Sequence, residues 1–394
     1  MGFLLRVYHV LYIQLLYLCS QSSASLCSPD QSSALLQFQQ LFSFVNRSFF
    51  DCDYYDDNSA VLQLDTPPYC DGRFPSYPKT MSWKEDKDCC PWDGVTCDSL
   101  TGHVIGLDLS CGWLQGNISS NSSSLFLLNH LQKLNLAYND FNLSQIPSDF
   151  NRFSSLTHLN LSNSYFSGQI PSEITHLSKL VVLDLSENSL ETTTVKGLVQ
   201  ILTDLIELLL DYVSMSTVVP SSFMNLSTSL SSLSLSHCEL QGNFPDNIFH
   251  LPNLKILNLA RNSNLTGILP KVNCSSPLKF LDVSEMTLSR ELPNSIGIDR
   301  LPWKNLVYLD LHSNLIQGPL PNPPPSLTLF SLSNNNFTGE IPLSFYNMSG
   351  IEILNLSYNN LSGTIPKCMA NFSSLHVLDL RKTRLYGSIP GIFA

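Results

Sequence analysis

One hydrophobic pattern recurs along most of this chain and decides what it can fold into. From Val104 onward the string L-x-x-L-x-L-x-x-N-x-L-x-G-x-I-P keeps returning, most plainly in Leu354-Asn355-Leu356-Ser357-Tyr358-Asn359-Asn360-Leu361-Ser362-Gly363-Thr364-Ile365-Pro366. Its opening apolar position falls at Val104, Leu131, Leu156, Leu180, Leu205, Leu230, Leu254, Leu278, Leu306, Leu327, Ile351 and Leu375, at intervals of 21 to 28 residues. A unit this short cannot bury its apolar face alone, so neighbouring units must stack and share a core. About twelve units therefore make one elongated solenoid out of a length that would otherwise suggest two or three domains.

Each position in the unit has its own chemistry. In Leu378-Asp379-Leu380 the leucines point one way and Asp379 the other, the period of a strand. Stacked strands form a parallel sheet on the concave side, with the leucines filling the space behind it. The asparagine that closes the motif (Asn139, Asn188, Asn262, Asn314, Asn335, Asn359) turns inward where the chain leaves the strand and can satisfy buried backbone groups. Cys238 holds that position in its own unit, which reads as a small buried ladder residue rather than a disulfide partner. Gly-x-Ile-Pro is expected to turn the chain out of the strand region. Two units depart from the pattern: Glu191-Thr192-Thr193-Thr194-Val195 follows Leu190 without Gly-x-Ile-Pro, and about four extra residues lie between Ile296 and Trp303. Both are placed on the convex side. The pattern is that of leucine-rich repeats. The expected fold class is an α/β repeat, a leucine-rich-repeat solenoid with a parallel concave β-sheet and an N-terminal disulfide cap.

The ends and the composition place the chain in the secretory pathway. Arg6, the apolar run Val10–Leu18 and the small residues Ser22 to Ser25 read as a signal peptide over residues 1–25, too short for a membrane span. Removing it removes Cys19 and leaves ten cysteines, an even number that suits disulfides. Thirteen Asn-X-Ser/Thr sequons indicate a glycoprotein: Asn46, Asn117, Asn121, Asn142, Asn160, Asn225, Asn264, Asn273, Asn336, Asn347, Asn355, Asn360 and Asn371. The net charge of -11 argues against nucleic acid, which needs a basic surface. Part of that acidity is local, since residues 51–98 hold eleven Asp or Glu against four Lys or Arg.

Residues 26–103 read as the cover of the first repeat. Asp30 is expected to cap a helix running to about Phe44, with Leu35, Phe38, Leu41 and Phe42 on one side. An insertion at about 47–76 carries Cys52 and Cys70. Then comes Cys89-Cys90-Pro91-Trp92-Asp93-Gly94-Val95-Thr96-Cys97, followed by Thr101-Gly102-His103-Val104. These strings, with Cys27-x-x-Asp30-Gln31 and the L-x-G-x-I-P signature, resemble the plant leucine-rich-repeat receptor-like proteins of the Cf type, which act in disease resistance. The resemblance covers essentially the whole chain. It implies pairing of Cys27 with Cys89 and of Cys90 with Cys97; Cys52 with Cys70 or with Cys111 stays open. A metal site is the rival reading of the clustered cysteines, but C-x-x-C pairs are missing, and no metal or cofactor is expected. Relatives of this kind carry further repeats, a closing cap, a membrane helix and a short tail. A chain that stops at Ala394, within the twelfth unit, is read as truncated, with residues 104–394 forming about twelve repeats and the last one uncapped.

With the leucines committed to the core, ligand contacts are expected from outward positions of the concave face. The residue before the ladder position gives the column Tyr138, Asn163, Glu187, Tyr212, His237, Arg261, Glu285, Ser313, Asn334, Tyr358 and Lys382, and His158 and His312 join the same face. The residues expected to touch a ligand are Tyr138, His158, Tyr212, His237, Arg261, His312 and Tyr358, since Tyr and Arg favour binding hot spots. The Asp and Asn between the two leucines read as structural rather than as a cation ladder. No catalytic motif is found, and the nine histidines have no metal-pair spacing, so an enzyme is not expected. The resemblance implies the ligand-binding ectodomain of a plant cell-surface receptor for a pathogen-derived or peptide ligand, extracellular or at the plasma membrane, with co-receptor kinases as partners. The alternative is a secreted inhibitor of a microbial cell-wall-degrading enzyme, like the polygalacturonase inhibitors.

Overall fold

The computed structural model describes residues 26–45, 76–85, 88–119, 124–270, 277–291, 301–367, 369 and 372–387. The signal-peptide reading, the insertion with Cys52 and Cys70, and the extra residues after Ile296 lie outside them. Among the described residues one sheet of thirteen strands runs the length of the molecule. It begins with Val95–Cys97, antiparallel to Val104–Asp108, and continues through parallel strands ending at Val377–Asp379. Apart from a shift between Thr96 and Cys97 in the first pair, the register repeats: Leu233 pairs with Leu257, Leu257 with Leu281, Leu281 with Leu309. Leu134, Leu159, Leu183, Leu208, Leu233 and Leu257 are completely or almost completely buried, as the sequence pattern requires. In the final unit Leu375, Leu378, Leu380 and Leu385 are only half-buried.

Gly-x-Ile-Pro does more than turn the chain. The segments that lead into it form a second parallel sheet of five short strands, Ser289–Glu291, Leu315–Pro319, Asn336–Gly339, Asn360–Thr364 and Arg384–Tyr386. Gly318, Gly339, Gly363 and Gly387 there have φ between 81° and 97°, a region open to glycine at little cost. The proline that follows starts a convex 3-10 turn in several units, as in Ser148–Arg152 after Pro147 and Leu343–Asn347 after Pro342, each burying one apolar side chain, Phe150 or Phe345. In the unit that lacks Gly-x-Ile-Pro, a short α-helix, Lys196–Ile201, replaces this turn and buries Leu198 and Val199.

The N-terminal cover differs from expectation in detail. Its helix spans Pro29–Gln39, and Ser28 rather than Asp30 is the N-cap, its hydroxyl accepting the Gln31 amide. Proline at the first helical position fixes this start. The chain then turns, and Ser43–Phe44 pairs with Leu114–Gln115. Disulfides Cys27–Cys89 and Cys90–Cys97 are formed, sending the vicinal cysteines to different partners. Cys111 is also disulfide-bonded. Trp83 and Trp92 stack with centroids 5.3 Å apart over the first core layer.

The buried ladder holds the stack together. The Asn262 amide donates to the carbonyls of Leu235 in the preceding unit (2.8 Å) and of Leu259 and Ala260 in its own, while its oxygen accepts the amides of Cys238 and Leu240. Asn139, Asn188, Asn314, Asn335 and Asn359 repeat the arrangement. Ser164 and Cys238 make the reduced version, Cys238 Sγ reaching the Leu210 and Ser236 carbonyls from a buried, unbonded thiol. Replacing Asn262 with Ala strands several buried backbone groups at once, so Asn262→Ala should lower unfolding stability by about 2–3 kcal/mol in a urea titration, whereas Cys238→Ser should cost less than about 1.5 kcal/mol.

Candidate functional site

The expected binding column has a backbone cause. Tyr138, Asn163, Glu187, Tyr212, His237, Arg261, Glu285, Ser313, Asn334, Tyr358 and Lys382 all lie in the left-handed region, with φ between 46° and 64°, although none is glycine. They sit just past the ends of the three-residue strands, not within them, so the column is a row of turn residues at the strand exits. Two interactions hold most of these residues there against a cost of about 1–2 kcal/mol. The column amide donates to the next unit, as in Tyr212 N to Ser236 O (2.9 Å) and Arg261 N to Ser284 O (3.0 Å). The Asp or Asn between the leucines accepts the amide two residues on, as Asn258 does from Ala260 (3.1 Å) and Asp310 from His312 (2.8 Å). That explains why Asp and Asn recur at this position. Where Ser234 is too short, Asp211 of the preceding unit reaches across to the Ser234 hydroxyl and the Ser236 amide.

Four of the seven expected site residues come together. The rings of Tyr212 and His237 stack with centroids 4.6 Å apart and 13° between planes. Arg261 Nη1 donates to the Tyr212 hydroxyl (3.4 Å), and its Nε lies 3.4 Å from Glu285 Oε1. The same Glu285 oxygen lies 3.4 Å from His312 Nε2, whose Nδ1 is 2.9 Å from Asp310 Oδ1. Tyr212, His237 and Arg261 are solvent-exposed. A shallow depression of about 330 Å³ opens beside the chain, lined by His237, Glu239, Arg261, Asn264 and Glu285. Asn264 belongs to a sequon, so a glycan there would stand at its mouth. The other three residues are separate. Tyr138 and Tyr358 lie in distant units, and His158 lies within its strand, its Nδ1 2.8 Å from the Thr157 hydroxyl, where burial and Lys133 lower its pKa.

The carboxylates beneath this rim have unusual titration. Burial raises Asp211 to about 7, against the opposing hydrogen bonds from Ser234 and Ser236. Burial and the adjacent Asp310 raise Asp282. The Asp310 hydrogen bond raises His312 to about 8, and a doubly protonated ring can donate to Asp310 and Glu285 together.

The concave strands also carry a column that sequence reasoning overlooked. At the position before the first leucine of L-x-L stand Ile256, Phe280, Tyr308, Leu329 and Ile353, in register on consecutive strands. They form an apolar cluster apart from the main core, with Phe280 and Tyr308 stacked at 4.1 Å and the Tyr308 hydroxyl 3.5 Å from Asp282 Oδ2. The signal was present: earlier units have Lys133, His158, Val182, Glu207 and Ser232 there, mostly polar, and the column is apolar without interruption from Ile256 to Ile353. Among the sequon asparagines, Asn117, Asn142, Asn225, Asn264, Asn336 and Asn347 are exposed, Asn160, Asn355 and Asn360 are half-buried, and Asn46, Asn121, Asn273 and Asn371 lie outside the described residues. The Cys89, Cys90 and Cys97 sulfurs lie within 4.8 Å of one another as members of two disulfides.

A solenoid with a double parallel sheet, a disulfide cap and a polar concave rim defines a plant-type leucine-rich-repeat ectodomain. Comparison with known proteins agrees. Leucine-rich-repeat family models match residues 130–153, 155–177, 229–251, 305–327 and 325–385, and the leucine-rich-repeat N-terminal domain matches residues 74–98. Receptor-like protein 6 of Arabidopsis thaliana is 39% identical over 69% of this chain and 27% of its own length. Receptor-like protein Cf-9 of Solanum pimpinellifolium is 39% identical over 74% of this chain and 32% of its own. The chain is similar to plant leucine-rich-repeat receptor-like proteins and spans about a third or less of these relatives. Among solved structures, PEPR1-AtPEP1 superposes with a TM-score of 0.63 at 26% identity, covering 93% of this chain and 50% of that one. The Arabidopsis thaliana GASSHO1/SCHENGEN3 ectodomain, solved in complex with CASPARIAN STRIP INTEGRITY FACTOR 2, gives 0.53 at 26% identity, covering 80% and 49%. No helix among the described residues is long and apolar enough to cross a membrane.

The shifted groups set a pH dependence. A folded-state pKa raised above the unfolded value, for Asp211 and for His312 alike, stabilises at low pH and loses that contribution as pH rises through the folded value. The thermal midpoint should therefore fall between about pH 5 and about pH 9. Asp211→Asn should flatten the lower part of the fall and His312→Gln the upper part. A midpoint that rises across this range would contradict both assignments.

Proposed function

We propose that the chain is the ligand-binding ectodomain portion of a plant cell-surface receptor-like protein, acting in perception of a pathogen-derived or peptide ligand and in defence signalling. The observation that carries this reading is the linked row Tyr212, His237, Arg261, Glu285 and His312. It supplies aromatic faces, a guanidinium, a carboxylate and an imidazole, each fixed at a strand exit, and their spacing is set by the repeat rather than by flexible loops. Such groups suit a polypeptide with mixed polar and aromatic side chains, and a rigid scaffold limits the ordering cost of binding. The ligand complex of GASSHO1/SCHENGEN3 supports a peptide or protein partner by analogy. Tyr138, His158 and Tyr358 stay proposed contacts only for a ligand long enough to reach several units. Membrane partners, co-receptor kinases included, belong to the longer relatives. The outer surface of the cell is the compartment that sequons and disulfides suit.

The test uses the glycosylated protein with peptide fractions from the apoplast of challenged leaves, read by mass spectrometry of what co-elutes with it. Tyr212→Ala, His237→Ala and Arg261→Ala together should abolish retention while circular dichroism stays native. Equal retention by the folded variant would refute the reading. Slowed hydrolysis by a microbial endopolygalacturonase, with no peptide retained, would favour an inhibitor instead.

A further inference from the structure

The entry edge of the concave sheet, opposite the rim described above, carries a feature that the proposed ligand site does not use. Lys255 and Lys279 stand directly side by side, the Lys279 amide donating to the Lys255 carbonyl at 2.9 Å, and each immediately precedes its strand. Lys304, in the next unit, lies in the turn that leads into its strand, two residues before Leu306, while Val307 takes the position equivalent to Lys279. All three are exposed. None has an ion pair or side-chain hydrogen bond among the described residues. Like charges on neighbouring strands repel, and among the described residues this row is uncompensated. It is also unexpected by composition, in a chain with 21 Lys and Arg against 32 Asp and Glu. Along the same edge the equivalent positions of the following units are Val307 and Thr328, and acid returns only at Glu352. No sequon asparagine among the described residues falls on this edge, so no glycan from those positions would screen it.

The row borders the apolar column: Lys255 precedes Ile256 and Lys279 precedes Phe280. Phe280, Tyr308 and Leu329 pack flat on one another, while Ile256 and Ile353 at the two ends stay partly accessible. We propose that Lys255, Lys279 and Lys304 form a second docking edge for an extended protein segment that carries acidic side chains beside aliphatic or aromatic ones. Charge complementarity selects the acidic groups. The partly accessible Ile256 beside Lys255 favours a polypeptide over an acidic polysaccharide, which has no apolar side chains to place there. The edge shares no residue with the Tyr212 to His312 row, so the two readings stand or fall separately.

The test pans a displayed library of random dodecapeptides on the glycosylated protein and measures the enriched peptides by fluorescence anisotropy. Enriched sequences should place Asp or Glu next to Val, Leu or Phe. Lys255→Glu, Lys279→Glu and Lys304→Glu together should weaken them by about tenfold or more at low salt, since each reversal turns attraction into repulsion. The exposed-site control Lys179→Glu and the Tyr212, His237 and Arg261 alanine variant should both leave these peptides bound. A Lys→Ser version of the triple variant, checked by its thermal midpoint, separates loss of charge from loss of fold. Enrichment without acidic residues, or equal binding by the folded triple variants, would overturn the proposal. Binding of polygalacturonate through the same lysines, with no peptide enriched, would overturn the assignment of a protein partner.

Discussion

A side-chain amide that reaches back one unit is the interaction on which this solenoid rests. The chain must leave each strand while its carbonyls and amides are still buried, and no neighbouring backbone is placed to satisfy all of them. Asn188 and Asn262 resolve this by donating to three carbonyls and accepting two amides apiece, with one donation crossing to the preceding unit. Buried polar groups left unpaired are costly, so the ladder fixes both the path of the chain and the distance between units. Leucine burial supplies the driving force but no direction; the amides supply the register. Val213 and Met286 occupy the ladder position without a donor, and their units depend on neighbours that have one.

From that fixed exit the left-handed column follows. The backbone can hold Arg261 at positive φ because the next unit accepts its amide and Asn258 in the strand closes the turn; in the Tyr212 unit, whose strand has Leu209 there, the Ser186 hydroxyl of the preceding unit accepts the Asp211 amide instead. The strain is met by backbone and strand residues, and the side chain itself takes no part. Binding groups on this rim are thus held in place by other residues' interactions. The same close spacing brings carboxylates together: Asp282 beside Asp310, with His312 as the only nearby cation that hydrogen-bonds to either of them among the described residues.

Much of this was legible in the sequence, for a physical reason. The leucine period sets register, so strand positions, their buried leucines and the buried Cys238 could be read directly, and the resemblance in the cap implied both disulfides now formed. What escaped depends on non-local geometry. Nothing in Tyr138 or Glu285 announces positive φ, since the partners that enforce it lie a unit away. The second sheet is invisible in Gly-x-Ile-Pro until those segments are stacked. Ser28 competes with Asp30 for the cap at a distance of two residues, and Pro29 at the first helical position decides it. The apolar column at Phe280 and Tyr308 shows only when several units are aligned on their leucines and read down one position, because each residue alone passes for an ordinary strand side chain.

The left-handed column has a consequence for how such a protein can change. Because the turn is stabilised by the column residue's own amide and by a neighbour's carboxylate or carboxamide, the identity of the column side chain is nearly free of the architecture: Tyr, Asn, Glu, His, Arg, Ser and Lys all occupy it here with the same φ. Each unit thus behaves like one character of a text printed on a fixed ruling. Exchanging a character rewrites what the rim can recognise, and duplicating a unit lengthens the line, while the ruling beneath is left untouched.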